Sequence, residues 1–247
     1  MANTSITGAR VDDLHEVLVA LAKCHKHRSW YASFAMPYLG SHPIEVGGGF
    51  GDYANEWLPH VQQLTLTDSN PRSVAKLVAR FAPCDNVTVY QLALPCDQYA
   101  DHTCVLGYNV LEHIPDHAEA LRSMTRLVEP GGYIVLVCPA FPFAMSKLDI
   151  STGHFRRYTR RSMLELLKSA NLQIISIRYA NSLGLIGYYI SIKLLNRHFL
   201  GNGHLGLYDR LVVPVIRAIE RRWERPPFGQ SIVVVARSHS LGRAGQR

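Results

Sequence analysis

The sequence predicts an α/β protein whose mostly parallel sheet of seven strands carries helices on both faces. Two observations lead to this fold class. Short apolar strands alternate with amphipathic helices from residue 42 to residue 138, and two further strand patterns follow at 172–178 and 231–236. A cluster of glycines also lies between the first strand and the helix after it, at residues 47–51. Such alternation is typical of parallel strands joined by crossover helices, which bury both faces of the sheet.

The strands are predicted from runs of apolar and β-branched residues bounded by turn residues. The loops at the carboxyl ends of parallel strands meet at one edge of the sheet, where ligands bind, so the motifs in these loops are expected to lie together. In chain order the predicted strands are His42–Val46, Val61–Thr67, Asn86–Leu92, Cys104–Tyr108, Tyr133–Cys138, Leu172–Arg178 and Ser231–Ala236.

The helices are predicted from apolar residues at helical spacing and from signals at their ends. Two helices, at 11–21 and 30–39, account for the first forty residues. The helix that begins at Pro71 has the clearest start because Asn70 can cap it. Ser162 and Glu165 have the spacing of a capping box. The other predicted segments are the helices Asp52–His60, Pro71–Phe81, Pro115–Val128 (closed by Pro130-Gly131-Gly132), Arg160–Ala170 and Tyr208–Trp223, and a loop from Pro139 to Tyr158.

The composition is that of a folded globular protein. The 247 residues are 47% hydrophobic and 18% charged, which excludes a disordered, collagen-like or coiled-coil chain. The net charge of +7 is spread along the chain, so nucleic-acid binding is not the favoured interpretation. Five cysteines without a C-x-x-C pair argue against a disulfide framework or a zinc ribbon and predict a reducing compartment.

No membrane segment or secretory signal is predicted. The first residues contain no apolar core of the kind found in signal peptides. The longest apolar run, at 183–192, is followed by Lys193 and is shorter than the ~20 residues that a helix needs to cross a bilayer. We therefore predict a cytoplasmic protein, with peripheral membrane contact as an alternative.

The glycine cluster is the strongest chemical signal. It has the form Glu45-Val46-Gly47-Gly48-Gly49-Phe50-Gly51, or E-x-G-x-G-x-G, and not the G-x-G-x-x-G of dinucleotide sites, because residue 52 is Asp. Glycines at this position let the backbone approach a ligand closely. Asp68 ends the second strand, 17 residues after Gly51, where a carboxylate can accept both hydroxyls of a ribose. Together these two elements predict a cofactor that contains a nucleoside.

Four further stretches make the chain resemble a known family. With the glycine motif, they are similar to the class I S-adenosylmethionine-dependent methyltransferases, and more narrowly to a bacterial subgroup with a Gly-His-x-Arg-Arg-Tyr motif that is often found near glycan and natural-product pathways. The resemblance spans roughly residues 25–237 and implies a Rossmann-like fold with S-adenosyl-L-methionine as cofactor. The stretches are Tyr108–Ile114, Glu129–Gly132, Gly153–Thr159 and Phe228–Ser231.

The resemblance also implies which residues bind the cofactor. Glu45 would organise the glycine loop, and Asp68 would hold the ribose hydroxyls. The chain departs from the family where many relatives bind the adenine amino group with Asp, since it has Gln91-Leu92-Ala93-Leu94 there. A second departure is Thr103, where relatives commonly have Asp. The full implied set is Tyr31, Glu45, Gly47, Gly49, Gly51, Asp68, Ser69, Leu92, Ala93 and Asn109, with Asn109 acting through its backbone and Ser69, Leu92 and Ala93 beside the adenosine.

Methyl transfer from a sulfonium is an in-line displacement, so positioning is the main contribution of the protein. An oxygen acceptor of high pKa also needs a base. His154 is the first candidate, His113 and Asp149 are alternatives, and Tyr158 could orient the acceptor. Arg157, or its neighbour Arg156, could grip an anionic acceptor. The competing interpretation is that these residues only fix their loop against the sheet. No metal site is predicted, because no cluster of histidines, cysteines or carboxylates has ligand spacing in the sequence.

The insertion at 181–228 is predicted to be a helical cap. Its apolar stretch Leu183–Leu200 is too broad for one narrow helical stripe. It suits a lid for a lipophilic acceptor, seated at a membrane surface with help from Lys193 and Arg197, and equally a self-burying cap or a homodimer contact. The predicted regions are N-terminal helices over the cofactor site at 1–40, the methyltransferase core at 41–180 and 229–238, the cap, and a tail at 239–247.

Three functions follow from these observations. The first is methylation of a small-molecule, glycan or lipophilic natural-product acceptor, with oxygen as the first expectation and nitrogen or carbon left open. The second is methylation of nucleic acid. It is disfavoured because nucleic-acid methyltransferases that modify amino groups generally have Asn or Asp followed by Pro-Pro-aromatic after the fourth strand, whereas Asn109 is followed here by Val110-Leu111. The third is a non-catalytic partner subunit that keeps only the cofactor site.

Overall fold

The fold is a seven-stranded sheet with the strand order β3-β2-β1-β4-β5-β7-β6. The structure is a computed structural model, and it describes residue 19 and residues 23–190, 206–223 and 226–239. Strands β1 to β5 pair in parallel, whereas β7 runs antiparallel to both β5 and β6. This order confirms the predicted fold class. The strands are β1 Ile44–Val46, β2 Leu64–Asp68, β3 Val87–Gln91, β4 His102–Tyr108, β5 Val128–Pro139, β6 Gln173–Ala180 and β7 Ser231–Arg237.

Eight α-helices are described, together with short 3-10 and π-helical turns. The helices are α1 His25–Ala32, α2 Ala54–Trp57, α3 Pro71–Phe81, α4 His117–Leu127, α5 Lys147–Ser151, α6 Arg160–Ser169, α7 Ser182–Tyr188 and α8 Val213–Glu220. The 3-10 turns are Met36–Tyr38, Leu58–His60, Leu111–His113 and Pro142–Ala144, and a π-helical turn at Tyr208–Val212 leads into α8.

Helix α3 has the predicted bounds because its start is determined locally. The side chain of Asn70 accepts a hydrogen bond from the backbone N–H of Arg72, and Pro71 occupies the first helical position. The predicted cap of α6 was wrong. Thr159 caps this helix, with Ser162 as the reciprocal partner, while Glu165 forms an exposed ion pair with Arg161.

Two other predicted segments need correction. The predicted loop Pro139–Tyr158 contains the helix α5, whose start is a capping box in which Ser146 and Asp149 bond reciprocally. Strand β5 begins at Val128 and not at Tyr133, because Val128 pairs with His102 of β4 on the far side of the glycine turn. Of the two predicted N-terminal helices, 11–21 lies outside the described residues apart from residue 19, and α1 ends at Ala32, well before Leu39.

Helices cover both faces of the sheet, and alternate residues of the central strands supply both cores. On one face, Ile134 and Leu136 of β5 pack with α4 and α6. On the other face, Val135 and Val137 pack with α1, the 3-10 turn at Met36–Tyr38 and α8. A third cluster joins α3 to β2. Burial on both faces leaves the edge at the carboxyl ends of the strands as the natural ligand-binding edge.

The described parts of the insertion are tied to the core by buried carboxylates. Glu220 of α8 accepts hydrogen bonds from the backbone N–H groups of Asn181 and Ser182 at the start of α7, at 3.2 and 2.8 Å. Asp209 accepts the N–H groups of Lys26 and His27 in the first turn of α1, at 3.0 and 2.7 Å. The remainder of the predicted apolar stretch, at 191–200 and including Lys193 and Arg197, lies outside the described residues, as do residues 201–205 and 224–225 and most of the predicted tail. In the described part of the chain, every helix is too short or too polar to span a bilayer.

Candidate functional site

The loop after β1 is held in a conformation that only glycine adopts easily. Gly47, Gly49 and Gly51 have φ angles of 72°, 56° and 74°. A Cβ atom on Gly47 would lie 2.7 Å from Cγ2 of Val110, in the loop after β4, so the two loops are in contact. A Cβ on Gly51 would overlap the ring of Phe81. The sequence motif therefore marks a loop in which all three glycines have a positive φ and in which Gly47 and Gly51 also have no room for a side chain.

Glu45 lies beneath this loop as a buried acid. Its side chain is only 3% exposed, and Oε2 has no hydrogen-bond partner among the residues that the structure describes. Oε2 also lies 3.4 Å from the position that a Cβ on Gly48 would occupy, which places the carboxyl group against the loop. Burial, with the nearby charges of Asp68 and Asp52, raises the pKa of Glu45 to about 8. An unsatisfied buried carboxyl oxygen at a cleft is suited to a ligand group that donates hydrogen bonds.

Asp68 ends β2 directly beside the glycine loop. Its Oδ2 accepts a hydrogen bond from the N–H of Gly49 at 2.9 Å, and its Oδ1 accepts one from the N–H of Asn70 at 2.8 Å. Each carboxylate oxygen has a second lone pair, so both can also accept a hydroxyl of a ribose. The side chain is half-buried and is therefore reachable from the cleft.

Of the three residues predicted beside the adenosine, Ala93 and Ser69 are exposed and Leu92 is buried. The N–H of Leu92 donates to the carbonyl of Asp68 at 3.1 Å, so this group is already used and Leu92 is not a free adenine donor. Leu92 is also buried, whereas Ala93 is exposed beyond the end of β3. Ser69 is exposed, and its carbonyl accepts a hydrogen bond from Nε2 of Gln91 at 3.0 Å. Ala93 and Ser69 stay candidates, and Leu92 does so only through its side chain.

Asn109 and Tyr31 have different surroundings. Asn109 follows β4 directly, is exposed, and has a φ of 55°, with its N–H bonded to the carbonyl of Val137 at 2.7 Å. Its left-handed backbone turns the chain at the edge of the sheet where the glycine loop lies. Tyr31 is 2% exposed, and its hydroxyl donates to Oγ of Ser231 at 3.1 Å. The structure thus makes Tyr31 a core residue, because its polar end is satisfied inside the protein.

The loop that carries the predicted acceptor residues is organised by Asp149. This carboxylate is 3% exposed and lies 2.7 Å from Nη2 of Arg157 and 3.0 Å from Nδ1 of His154. It also accepts hydrogen bonds from the N–H of Ser146 at 2.7 Å and the hydroxyl of Tyr188 at 2.8 Å. Burial favours the neutral acid, but the nearby His154 and the charge of Arg157 outweigh it and hold the pKa of Asp149 well below its usual range. Asp149 is therefore an anchor for His154 and not a base.

Three predicted acceptor residues bond to other groups of the protein. Arg157 is 6% exposed and bonds to Asp149 and to the carbonyl of Ala140. Arg156 donates to the carbonyls of Ile114 and Pro115. Tyr158 is 1% exposed, and its hydroxyl is 3.0 Å from Nδ1 of His117. The structure therefore supports the competing interpretation for Arg156, Arg157 and Tyr158, which fix the loop.

His154 lies beside two residues that follow β4. Its ring is 4.6 Å from that of His113, centroid to centroid, at an interplanar angle of 88°. Glu112 is fully buried, and burial raises its pKa to about 8, while burial and the neighbouring His154 lower the pKa of His113 to about 4. Potential ligand atoms of Glu112, His113 and His154 all lie within 4.8 Å of one another. The prediction that no metal-ligand cluster exists was based on sequence spacing, and the fold brings these three together across 40 residues.

One sizeable cavity lies elsewhere. It has a volume of about 1210 Å³, lies between α1 and α8, and includes Ser29, Arg217 and Trp223 in its wall. Its wall contains none of the residues predicted for the cofactor or acceptor. The cleft above the carboxyl ends of β1, β2 and β4 therefore stays the candidate site on chemical grounds.

Comparison with known proteins identifies the family of this fold and site. A family model described as a methyltransferase domain matches residues 20–177, more than half of the chain. The chain belongs to the methyltransferase domain family. This membership confirms the predicted class, while the narrower bacterial subgroup stays a prediction.

One curated protein and two solved structures illustrate what the chain is similar to. It is 32% identical over 103 residues to the ubiquinone biosynthesis O-methyltransferase of Albidiferax ferrireducens, a match that covers 40% of this chain and about two fifths, 41%, of that protein. Two solved structures share the fold. One is a protein in complex with the Haloferax volcanii Trm112 methyltransferase activator (14% identity, TM-score 0.62, 94% of this chain and 98% of that chain). The other is the Haemonchus contortus phosphoethanolamine N-methyltransferase 2 in complex with S-adenosyl-L-methionine (16% identity, TM-score 0.54, 83% and 50%).

Sequence reasoning missed the contact between Tyr188 and Asp149 and the short helix α5 that buries Asp149. Tyr188 was assigned only to the apolar band, yet its ring lies 4.7 Å from the guanidinium of Arg157 and its hydroxyl binds Asp149. Ser146 and Asp149 have the S-x-x-D spacing of a helix start, which could have revealed α5 and the buried position of Asp149. Nothing local in the sequence pairs Tyr188 with this loop.

Proposed function

We propose that this chain transfers the methyl group of S-adenosyl-L-methionine to a hydroxyl oxygen of a lipophilic small molecule. The observation that carries the proposal is that the glycine loop, the unsatisfied buried carboxyl of Glu45 and the half-buried carboxylate of Asp68 meet at the carboxyl ends of β1 and β2. A family of methyltransferase domains needs a methyl donor, and this cleft provides polar groups matched to both ends of an adenosyl sulfonium that carries an amino acid.

The two acids would divide the cofactor between them. Asp68 would accept the ribose hydroxyls through the lone pairs that Gly49 and Asn70 leave free. Glu45 would stabilise the loop that faces the methionine end, and its orphaned oxygen would receive a donor group there. The adenine would lie near Ala93 and Ser69, with no acid at the position that relatives use, so its recognition would depend on backbone groups and shape.

An apolar surface next to His154 supports a lipophilic acceptor. Phe143, Ile150 and Phe155 are 59%, 56% and 54% exposed, and all three belong to the segment between β5 and α6. Phe143 also makes an edge-to-face contact with Tyr189, just after α7, at a centroid distance of 6.0 Å. Three large apolar side chains exposed on the segment that carries His154 favour an apolar ligand there. We therefore propose that α7 forms one wall of the acceptor site.

Oxygen is the acceptor atom that this site suits best. The sulfonium of the bound cofactor supplies an electrophilic methyl group, so the chain has to orient the acceptor and promote the loss of its hydroxyl proton. His154 is the residue proposed for the second task. Asp149 positions it, because Oδ1 lies 3.0 Å from Nδ1 of the ring, and Arg157 and Tyr188 hold Asp149 in turn. The relative from Albidiferax ferrireducens is named as an O-methyltransferase, which agrees with oxygen.

Cofactor binding is tested by isothermal titration calorimetry with S-adenosyl-L-methionine. The Asp68→Ala variant is expected to bind about tenfold to 150-fold more weakly, since it loses hydrogen bonds to a charged group worth about 1.5–3 kcal/mol. Asp85→Ala is the matched control, because Asp85 is an exposed acid before β3, at the opposite edge of the sheet. Equal affinity of the two variants, or binding of NAD in place of the methyl donor, would contradict the proposed cleft.

The acceptor is tested with matched compounds and labelled methyl donor. A 4-alkyl catechol is expected to be methylated faster than catechol, and the corresponding alkylated aniline is expected to be inert. The His154→Ala variant is expected to lose turnover with an unchanged dissociation constant for the methyl donor, while His60→Ala, an exposed histidine, keeps both. Methylation of the aniline alone would contradict oxygen as the acceptor, and full turnover of His154→Ala would remove its assigned role.

A further inference from the structure

Three polar side chains meet beside the proposed acceptor position, and one of them, Glu112, has no partner that explains its burial. They are Glu112 and His113, in the 3-10 turn after β4, and His154, in the segment after α5. Their potential ligand atoms lie within 4.8 Å of one another. Glu112 has 0% exposure, and neither of its carboxyl oxygens has a hydrogen-bond partner among the described residues. A buried carboxyl group with both oxygens unsatisfied is rare and calls for an explanation.

We propose that Glu112, His113 and His154 bind a divalent first-row transition-metal ion such as Zn²⁺, Mn²⁺ or Co²⁺. Two imidazoles and one carboxylate form a donor set that suits these ions, and three protein ligands leave open positions for a further ligand. Because the cluster contains no thiolate and only one carboxylate, it is poorly suited to Cu(I) or Ca²⁺. The ion would supply the partner that the buried Glu112 lacks.

The surroundings of the two histidines match those of metal ligands. Metal-binding histidines usually hydrogen-bond through their other ring nitrogen to a carboxylate or a backbone carbonyl, which fixes the ring. Nδ1 of His154 lies 3.0 Å from Oδ1 of Asp149, at ion-pair distance but without hydrogen-bond geometry, and backbone groups of Thr152 and Gly153 are hydrogen-bonded to the ring of His113. Asp149 is in turn held by Arg157, so the outer contacts of the cluster are preorganised.

Backbone contacts also hold the two halves of the cluster together. The N–H of Phe155 donates to the carbonyl of Glu112 at 2.8 Å, and the N–H of His154 donates to the carbonyl of Asp149 at 2.8 Å. The first bond connects the segment after β5 to the segment after β4 at Glu112, and the second holds His154 within its own segment. Three ligands held in this way need little rearrangement to bind an ion.

The position of the cluster gives the ion a role that rests on the proposed function. Val110, two residues before Glu112, packs on Gly47 of the cofactor loop, so the cluster lies next to the proposed methyl-donor site. An acceptor hydroxyl bound at an open position would lose its proton to bulk water more readily. The oxygen would then form the C–O bond as the C–S bond breaks, and that electron pair would stay on sulfur as the neutral thioether. His154 would therefore promote proton loss through the ion and not by accepting the proton.

Metal binding is tested with Co²⁺ on the full chain, because this ion reports its ligands by visible absorption. Protein freed of metal with a chelator is titrated with Co²⁺ and followed by its absorption bands and by calorimetry. One ion per chain is expected, with at least about tenfold weaker binding in Glu112→Gln and in His154→Ala, and wild-type binding in His60→Ala. Circular dichroism of each variant verifies that it folds. If His154→Ala does not fold, the Co²⁺ affinity of the isosteric Glu112→Gln alone tests the metal site.

The same samples separate this inference from the proposed function. The dissociation constant for S-adenosyl-L-methionine is measured with and without chelator and is expected to be unchanged, while methyl transfer is expected to stop with chelator and to return with added metal. Unchanged Co²⁺ binding in Glu112→Gln, or no Co²⁺ bands in wild type, overturns the metal site even if the methyl donor binds. A metal site in a chain that does not bind the methyl donor overturns the proposed function alone.

Discussion

Replacing Asp149 by Asn is expected to destabilise the protein by about 3–5 kcal/mol. The side chains of Asp149 and Arg157 are only 4% and 3% exposed, and Oδ1 of the acid lies 3.2 Å from Nε and 2.7 Å from Nη2 of the guanidinium. The neutral amide would leave the cation of Arg157 buried without a counter-charge, which is the costly way to break a buried pair. It would also weaken the hydrogen bonds from Ser146 and Tyr188 to Oδ2. The loss is a large share of the ~5–15 kcal/mol that stabilises a typical domain.

The assay is urea unfolding at pH 7, with the free energy of unfolding compared between wild type, Asp149→Asn and the double variant Asp149→Asn/Arg157→Met. Replacing both members of a buried pair is far less costly than removing one, so the double variant is expected to regain most of the stability. A single variant that loses less than about 1 kcal/mol, or a double variant less stable than the single, would refute the assignment of Asp149 and Arg157 as a coupled buried pair.

The pH dependence gives an independent check of the same pair. The pKa of Asp149 in the folded state lies below its value in the unfolded chain, about 3.9, so protonation favours unfolding. The stability that Asp149 contributes is therefore fully present above the unfolded pKa of about 3.9 and is lost progressively as the pH falls towards the lower folded-state pKa. We expect a smaller decline in stability between about pH 5 and pH 3 in Asp149→Asn than in wild type, and identical slopes would contradict the lowered pKa.

Three further predictions concern the glycine loop, Glu45 beneath it and Tyr188 of α7. The free energy of unfolding of Gly51→Ala, measured with urea, is expected to fall by about 1–3 kcal/mol because residue 51 has a positive φ and lies against the ring of Phe81. Gly187→Ala is the control and should keep or gain stability, because the added Cβ has no neighbour within 4 Å. Because the pKa of Glu45 is about 8, its stabilising contribution is present below the unfolded pKa of about 4.3 and is lost as the pH rises towards 8. Glu45→Gln should remove this decline from the urea midpoints measured between pH 5 and pH 8. A parallel decline in both proteins would argue against a buried neutral acid. Tyr188→Phe should lower the rate of methyl transfer and cost about 0.5–1.5 kcal/mol while methyl-donor affinity stays constant, and an unchanged rate would separate the cap from the site.

The sequence predicted best those elements whose bounds depend on neighbouring residues. Helix α3 has the expected bounds because Asn70 and Pro71 form its start by local chemistry. The start of β5 was misplaced because Val128 pairs with His102, a contact that local patterns do not contain. The cap of α6 moved to Thr159 because Ser, Thr and acidic residues lie close together there, and packing selected one of several local solutions.

In the candidate site, too, the parts that local patterns encode could be predicted and the parts that depend on packing could not. The glycine loop and Asp68 were predicted because two short patterns, each next to a strand end, are brought together by any parallel sheet. The positions of Tyr31 and Tyr158 could not be predicted, because a residue type in a sequence motif does not reveal whether its side chain points into the core. Both are buried with satisfied hydroxyl groups.

The amino-acid sequence alone thus determined the α/β architecture and the cradle after β1, because hydrophobic period, turn residues and strand-end motifs act over a few residues. Only the tertiary structure decided that Tyr188 of the cap would reach Asp149, and that Glu112 and His113 would meet His154. Those contacts join residues about forty positions apart, and their geometry depends on how helices and loops pack on the finished sheet.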